Sequence, residues 1–436
     1  MAKTSGAAPP NPQTLPLLLD RETVEQHSLR RKEPDWLRAA RLAALERYMP
    51  EAWPTGAEEE WRRFPLKELP TGPIASTLDH LPGIQFKVEP EAVAAGVIFK
   101  GLTRAALDNP HLVRPYVTDG DGIPSHAAFR ALADALWSAG STFVHVPTGV
   151  TVRQPLVLEK VWPASDEAML SRTIVVAERD SSVVLVEDLS SDGTAERIAV
   201  PHVEIHAGAG ARVSYVGIRR WAPGVLDLGF QRARSARDSE LRSLNVFAGE
   251  GRSKVGIESD IEGDGAIVKL FGLVAAGDAQ RIDVNTFQRV DGRASQSDLL
   301  YLSALYERAK AVFYGKIRVE PTSHGTGSYQ ECRNMLLSDK AGADPIPVLE
   351  ILTNDVVRCG HGATAGALGD EELFYAMSRG FDRDAAQQLL VHGFFRRVVN
   401  QLADEHVRQR VLNALRPRIG NIAEMGILPA AEEVGP

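Results

Sequence analysis

Cysteine is almost missing from this chain: 436 residues carry two, Cys332 and Cys359. Two thiols cannot build a disulfide framework, so a reducing, cytoplasmic compartment is expected. Long apolar runs are missing as well. Nothing approaches the roughly 18 apolar residues that span a bilayer. The run Leu15 to Leu19 is short and broken by Pro16, so no secretion signal is expected from it. Excess positive charge is also lacking. A formal charge of −8 argues against non-specific nucleic-acid binding. Three catalytic loops are absent too. Gly315-Lys316 lacks the upstream glycine and the hydroxyl of a phosphate loop. No Gly-x-Gly-x-x-Gly follows a strand and no Gly-x-Ser-x-Gly elbow occurs, so neither ATP hydrolysis nor dinucleotide binding by a standard loop is expected.

What is present has three textures. After an Ala/Pro-rich tail (1–19), residues 20–139 read as a helical and mixed region. Asp20 is placed to cap a first helix, Pro34 suits the start of a second, and HAAFRALADALWSA from His126 is amphipathic. Trp53, Trp61 and Phe64 supply core anchors. From 140 to 365 the chain becomes short β-branched runs punctuated by Gly and Asp, such as RTIVVAE, SSVVLVEDL and RIDVNTFQRV. Small residues recur at Ser182, Ala211, Ser239, Ala266 and Ala294, each preceded within two positions by Asp or Gly. A period of this length marks a stacked array, which predicts a right-handed parallel β-helix core, with a sandwich or jelly roll as the alternative. Helix returns over 366–436. Asp370 and Asp382 are expected to cap two helices, and HVRQRVLNAL to form a third ending before Pro417. The fold class is therefore mainly β with helical ends.

Both cysteines and His361 lie within one late stretch, Tyr329 to Leu402. Thiolate and imidazole are the groups that hold iron, iron–sulfur clusters or zinc. If VVRCGHGAT is extended, Cys359 and His361 share a face, because strand side chains alternate. Two ligands are half a site. The remainder would come from Cys332, His324 or another chain, and the alternative is a buried structural cysteine beside a hydrogen-bonded histidine. His202, Glu204 and His206 in HVEIH alternate likewise but read as a polar outer face. The arginines between Arg219 and Arg242 are interleaved with Asp227, Asp238 and Glu240, which predicts a solvated strand face.

The segment RNMLLSDKAGADPIPVLEILTNDVVRCGHGATAGALGDEELFYAMSRGF resembles the C-terminal signature of the SufB/SufD components of the SUF iron–sulfur cluster assembly system. EEEWRRFPL near the N-terminus and HVPTGVTVRQPLVL at the entry to the β region support the likeness, which therefore extends over most of the chain. Cys359, His361, Gly362, Ala363 and Thr364 match the Cys-x-His-Gly-Ala-Thr of SufD-type sequences, where SufB-type sequences have His-Glu-Ala-Thr. Cys332 departs from the SufD pattern, since it falls where SufB-type chains carry their cluster-assembly cysteine.

The resemblance implies a scaffold rather than an enzyme: a SufD-like subunit that pairs with a SufB-like paralogue through the β-helix and docks a SufC-like ABC ATPase. It implies a transient iron–sulfur cluster shared with the partner at His361, with Cys359 and Cys332 as further ligands. Leu373, Phe374, Met377, Arg379 and Phe381 are then the expected ATPase contacts. A SufB-like paralogue is the alternative. A β-helix enzyme acting on polysaccharide or acyl groups is the reading from another class.

Overall fold

A computed structural model of the chain describes residues 17–47, 53–69, 72–73, 83–118, 126–138, 140–164 and 168–420. Most of the expected tail, and everything after Gly420, lies outside them. Within them the centre is a parallel β-solenoid of about eight turns with helices at both ends. Two sheets of stacked strands form its walls. The first runs from Gly83–Lys87 through Leu156–Trp162, Ser182–Ser191, Arg212–Arg220, Glu240–Phe247, Ile267–Ala276, Gln296–Leu305 and Thr326–Leu336 to Val356–Ala367. The second runs from Ile98–Gly101 through Thr142–Val146, Met169–Ala177, Arg197–Ala207, the split pair Val225–Asp227 and Phe230–Ser235, Arg252–Ile261, Arg281–Val290 and Lys310–Val319 to Gly342–Ile351.

The small-residue repeat lies at one corner of every coil, shifted by one at two places. The turn residues Asp180, Gly210, Asp238, Gly265 and Ala294 all take left-handed φ, between 51° and 71°. The residue after each, Ser181, Ala211, Ser239, Ala266 or Ser295, turns into the core and is at most 1% exposed, so it must be small. The buried members are thus Ser181 and Ser295, not Ser182 and Ala294. Each turn also donates to the coil above: Gly210 N–H to Arg237 O at 2.9 Å, and Asp238 N–H to Asp264 O at 2.9 Å. Left-handed φ strains any residue with a Cβ, which explains why Asp and Gly dominate and leaves Ala294 the exception.

Among the described residues the N-terminal region packs six helices on the solenoid: α1 (Arg21–Arg30), α2 (Asp35–Arg47), α3 (Pro90–Ala94), α4 (Leu102–Asp108), α5 (Pro110–Val117) and α6 (Ala127–Leu136). Asp20 caps α1, accepting from Thr23 N–H at 2.7 Å. α6 lies buried on the outer face of the second sheet, and its Phe129 meets Trp53 and Trp61 at ring distances of 5.0 and 5.6 Å. The C-terminal helices are α7 (Asp370–Ser378), α8 (Arg383–Val399) and α9 (Glu405–Ile419). Asp382 caps α8 as expected, but α7 starts at Asp370 itself, behind Gly369, with no side-chain cap. The face of α8 set against the first sheet is Val391, Phe395 and Val398, with Phe394 partly buried beside them. α9 continues through Pro417, which falls in its final turn, where only one hydrogen bond is lost.

Candidate functional site

The two ends of the solenoid differ. At the first, Gly83–Lys87 and Ile98–Gly101 close the sheets by antiparallel pairing, and Ala92 and Val97 join the interior core. At the other end, Val356–Ala367 and Gly342–Ile351 are terminal strands. Ile351 is 42% exposed, Leu352 47% and Val357 78%.

Cys359 and His361 belong to the open strand. The pairing with Thr326–Leu336 slips by one at its start, so Val357 has no partner and bulges outward. Beyond the bulge Cys359 stands beside Ser328, His361 beside Gln330, Ala363 beside Cys332 and Ala365 beside Asn334. Ser328, Gln330, Cys332 and Asn334 are buried, inward-facing residues of the preceding coil. By alternation, Cys359 and His361 occupy that same inner face, now at its open end. Cys359 is half-buried against the core and His361 is exposed.

The three predicted ligands share this face but do not close on one point. Cys332 and His361 are diagonal neighbours, while Cys359 lies four residues from the position opposite Cys332, about 13 Å along a strand. His324 sits at the corner with its Nδ1 3.5 Å from Asp355, outside this row. Cys332 is 3% exposed. Burial pushes its thiol up to about 12, against a weaker opposing effect from the Asn334 amide, which donates to Sγ at 3.5 Å and to Thr364 O at 3.0 Å. Burial also raises the Cys359 thiol. Burial thus disfavours the thiolate at both positions, and only Cys359 is accessible to solvent.

Among the described residues the one group of three or more metal-type side chains with ligand atoms within 4.8 Å is Asp134, His202 and Glu204. The alternation in HVEIH was legible, yet this face is not a polar outer surface, because α6 covers it. His202 Nδ1 lies 3.0 Å from Asp134 and its Nε2 3.1 Å from Glu204. Arg172 reaches both carboxylates, at 3.2 and 2.7 Å. Burial opposes ionisation of Asp134, but Arg172, His202 and Arg130 together hold its carboxyl below the usual range, and Glu204 behaves alike. With two guanidinium groups already facing two carboxylates, a further cation would be repelled. The cluster is an ion network that fastens the N-terminal helices to the solenoid.

The arginine run is also internal rather than solvated in part: Arg219 is 1% exposed and its Nε lies 3.1 Å from Asp227. Arg232 pairs with Asp260 at 2.7 Å. The solenoid interior holds a comparable pair, Lys160 donating to Glu187 at 2.6 Å, with Thr173 and Tyr215 hydroxyls donating to the same carboxylate.

On α7, Leu373 is buried against Ala376 and Ala386, and Phe381 packs beside them. The apolar surface left outside is Phe374 at 74%, Tyr375 at 61% and Met377 at 41% exposed. Tyr375 was not among the residues expected on this surface. Its signal was position, since it follows Phe374 on a helix whose inward residues are Leu373 and Ala376. Arg379 donates to the Tyr375 hydroxyl at 2.8 Å.

Residues 161–394, more than half the chain, match the family model described as SUF system FeS cluster assembly, SufBD core domain. The chain belongs to the SufBD family. It is 27% identical to the iron–sulfur cluster assembly protein SufD of Bacillus subtilis, over 92% of this chain and 98% of that one. It is 25% identical to SufB of the same organism, over 89% and 90%. A SufBD-family protein of Mycobacterium leprae is 29% identical, over 67% and 75%. The chain is thus a SufB/SufD-family scaffold of iron–sulfur cluster assembly, and SufD precedes SufB in similarity. No described helix is long and apolar enough to cross a membrane.

Proposed function

We propose that this SufBD chain is a non-catalytic, SufD-like subunit that builds a transient iron–sulfur cluster at its open solenoid end together with a SufB-like partner. One observation carries the reading: Cys359 and His361 share the inner face of a terminal strand paired on one side only, so the ligand set is incomplete until another chain covers it. Pro345 and Pro347 remove two N–H donors from Gly342–Ile351, a common way of keeping an edge unpaired. Val356–Ala367 has no proline and is the strand along which the partner pairs. In this reading 140–365 is the assembly core, and 366–436 is a separate platform on which Phe374, Tyr375, Met377 and Arg379 contact a SufC-like ATPase. His361 is the principal ligand to the nascent cluster, Cys359 the second and Cys332 the third, reached only if the coil end opens. The whole operates in the cytoplasm.

The test is copurification with SufB-like and SufC-like proteins followed by anaerobic cluster assembly. His361→Ala is expected to abolish most cluster yield while the complex still forms. Full yield from that variant would move the site elsewhere, and failure of the chain to associate with either protein would sink the scaffold reading. Should Cys332→Ser abolish yield while His361→Ala does not, the chain is SufB-like.

A further inference from the structure

Away from both the open end and α7, the loop joining α8 to α9 and the first turns of α9 stand off the outer face of the first sheet and leave a groove. It consists of two adjoining cavities, of about 580 and 710 Å³, which share Pro155 and Val407. Each alone has the size of a small-molecule pocket, about 300–1,000 Å³; joined end to end and open along one side, they form a trough. Its accessible apolar lining is half-buried Pro155, Val184 and Leu402, which lie over the buried Val216, Leu244 and Phe271. Its walls are basic: six Lys or Arg against three Asp or Glu line the two halves, in a chain whose net charge is −8.

The basic groups are not all engaged. Arg220 and Arg410 are paired with Asp188, and Arg242 with Glu240. Arg153 and Arg212, at the mouth of the first cavity, are exposed and have no ionic partner among the described residues. An apolar floor beneath unpaired guanidinium groups is complementary to a helix with one apolar ridge and a flank of carboxylates.

We infer that this groove docks an acidic amphipathic helix of a partner protein, its apolar ridge on Pro155, Val184 and Leu402 and its carboxylates on Arg153 and Arg212. Because the groove is separate from the cluster end and from the α7 surface, the visitor binds without displacing either of the two subunits proposed above. A carrier that delivers to or collects from the scaffold has that requirement.

The experiment uses the full chain and a fluorescein-labelled synthetic helix with leucines on one face and glutamates on its flanks, read by fluorescence anisotropy. Binding is expected to weaken with salt and to fall about tenfold or more in Arg153→Glu/Arg212→Glu, because the reversed charges repel the helix's carboxylates. Ser214→Trp, which fills the floor without altering charge, should abolish it at any salt. Both variants change groove-lining residues outside the core and are expected to copurify with the paralogue and ATPase as the parent does, so a failure here is separable from a failure of the scaffold reading. Equal binding of a lysine-flanked helix, or binding unchanged in both variants, overturns the proposal. So does capture of anilinonaphthalene sulfonate by the groove without helix binding, which would make it a small-molecule pocket. Self-association that both variants abolish, without helix binding, would overturn it in favour of a second copy.

Discussion

The two ends of the solenoid are built from the same coil and finished in opposite ways. At the first end the chain doubles back through Gly83–Lys87 and Ile98–Gly101, and Phe86 meets Phe99 edge-on at 5.0 Å over the interior. At the last end the inner face runs out into solvent with Leu352, Val357, Cys359 and His361 on or beside it. Open sheet edges are a liability that proteins normally cover. On the proposed reading, the end left open among the described residues is the one a partner chain covers.

The contrast can be broken most severely from inside the closed half. Lys160→Met leaves Glu187 buried with hydroxyl partners but no cation, and should cost about 3–5 kcal/mol by chemical denaturation at neutral pH. Its pH dependence should also invert. In the parent, burial works against the Glu187 carboxylate, but Lys160 with the Thr173 and Tyr215 hydroxyls holds it below the usual range. That stability is present above the unfolded carboxyl pKa and is lost as pH falls through the lowered folded value. With the cation gone, burial dominates and raises the folded pKa, so the variant should gain stability relative to parent as pH falls.

A smaller effect is expected at the closing strands. Phe86→Ala should cost about 2 kcal/mol, below the usual 3–5 for a fully buried phenylalanine, because the ring is half-buried. Val357→Asp, at the equivalent extreme of the open end, should change stability by no more than about 0.5 kcal/mol. It should nonetheless prevent pairing with the SufB-like partner in copurification. If the two substitutions destabilise equally, the ends are not functionally distinct. The mildest probe is chemical. In the native chain a thiol reagent should modify one cysteine, Cys359, and a second only on denaturation; adding the partner should protect the first.

Much of this was legible in the sequence because alternation is a local property. The parity that puts Cys359 and His361 on one face needs only that the segment be extended, and the left-handed corners announce themselves through Asp and Gly. What was not legible depends on what another segment does. HVEIH gave the right face but no sign that α6 would bury it, since Asp134 reaches His202 from 68 residues away and Arg172 reaches Glu204 from 32 residues away in sequence. The bulge at Val357 is set by pairing with Thr326–Leu336, and nothing in VVRCGH itself marks it. On α7, helical phase decides that Leu373 faces in while Phe374, Tyr375 and Met377 face out, and phase depends on what the helix packs against. The family signature supplied the function that periodicity could not.

The coil stack can also be seen as a growing polymer. Each coil is templated by the one beneath, through corner amides such as Gly210 and Asp238 that bond to the next turn. Such a lattice has no natural last layer. The prolines of Gly342–Ile351 act as a chain terminator on one side, and Val356–Ala367 remains a live primer on the other, with Cys359 and His361 at the growing tip. On the proposed reading, adding a partner strand is one further elongation step, and the cluster is built in the joint where growth passes from one polypeptide to another.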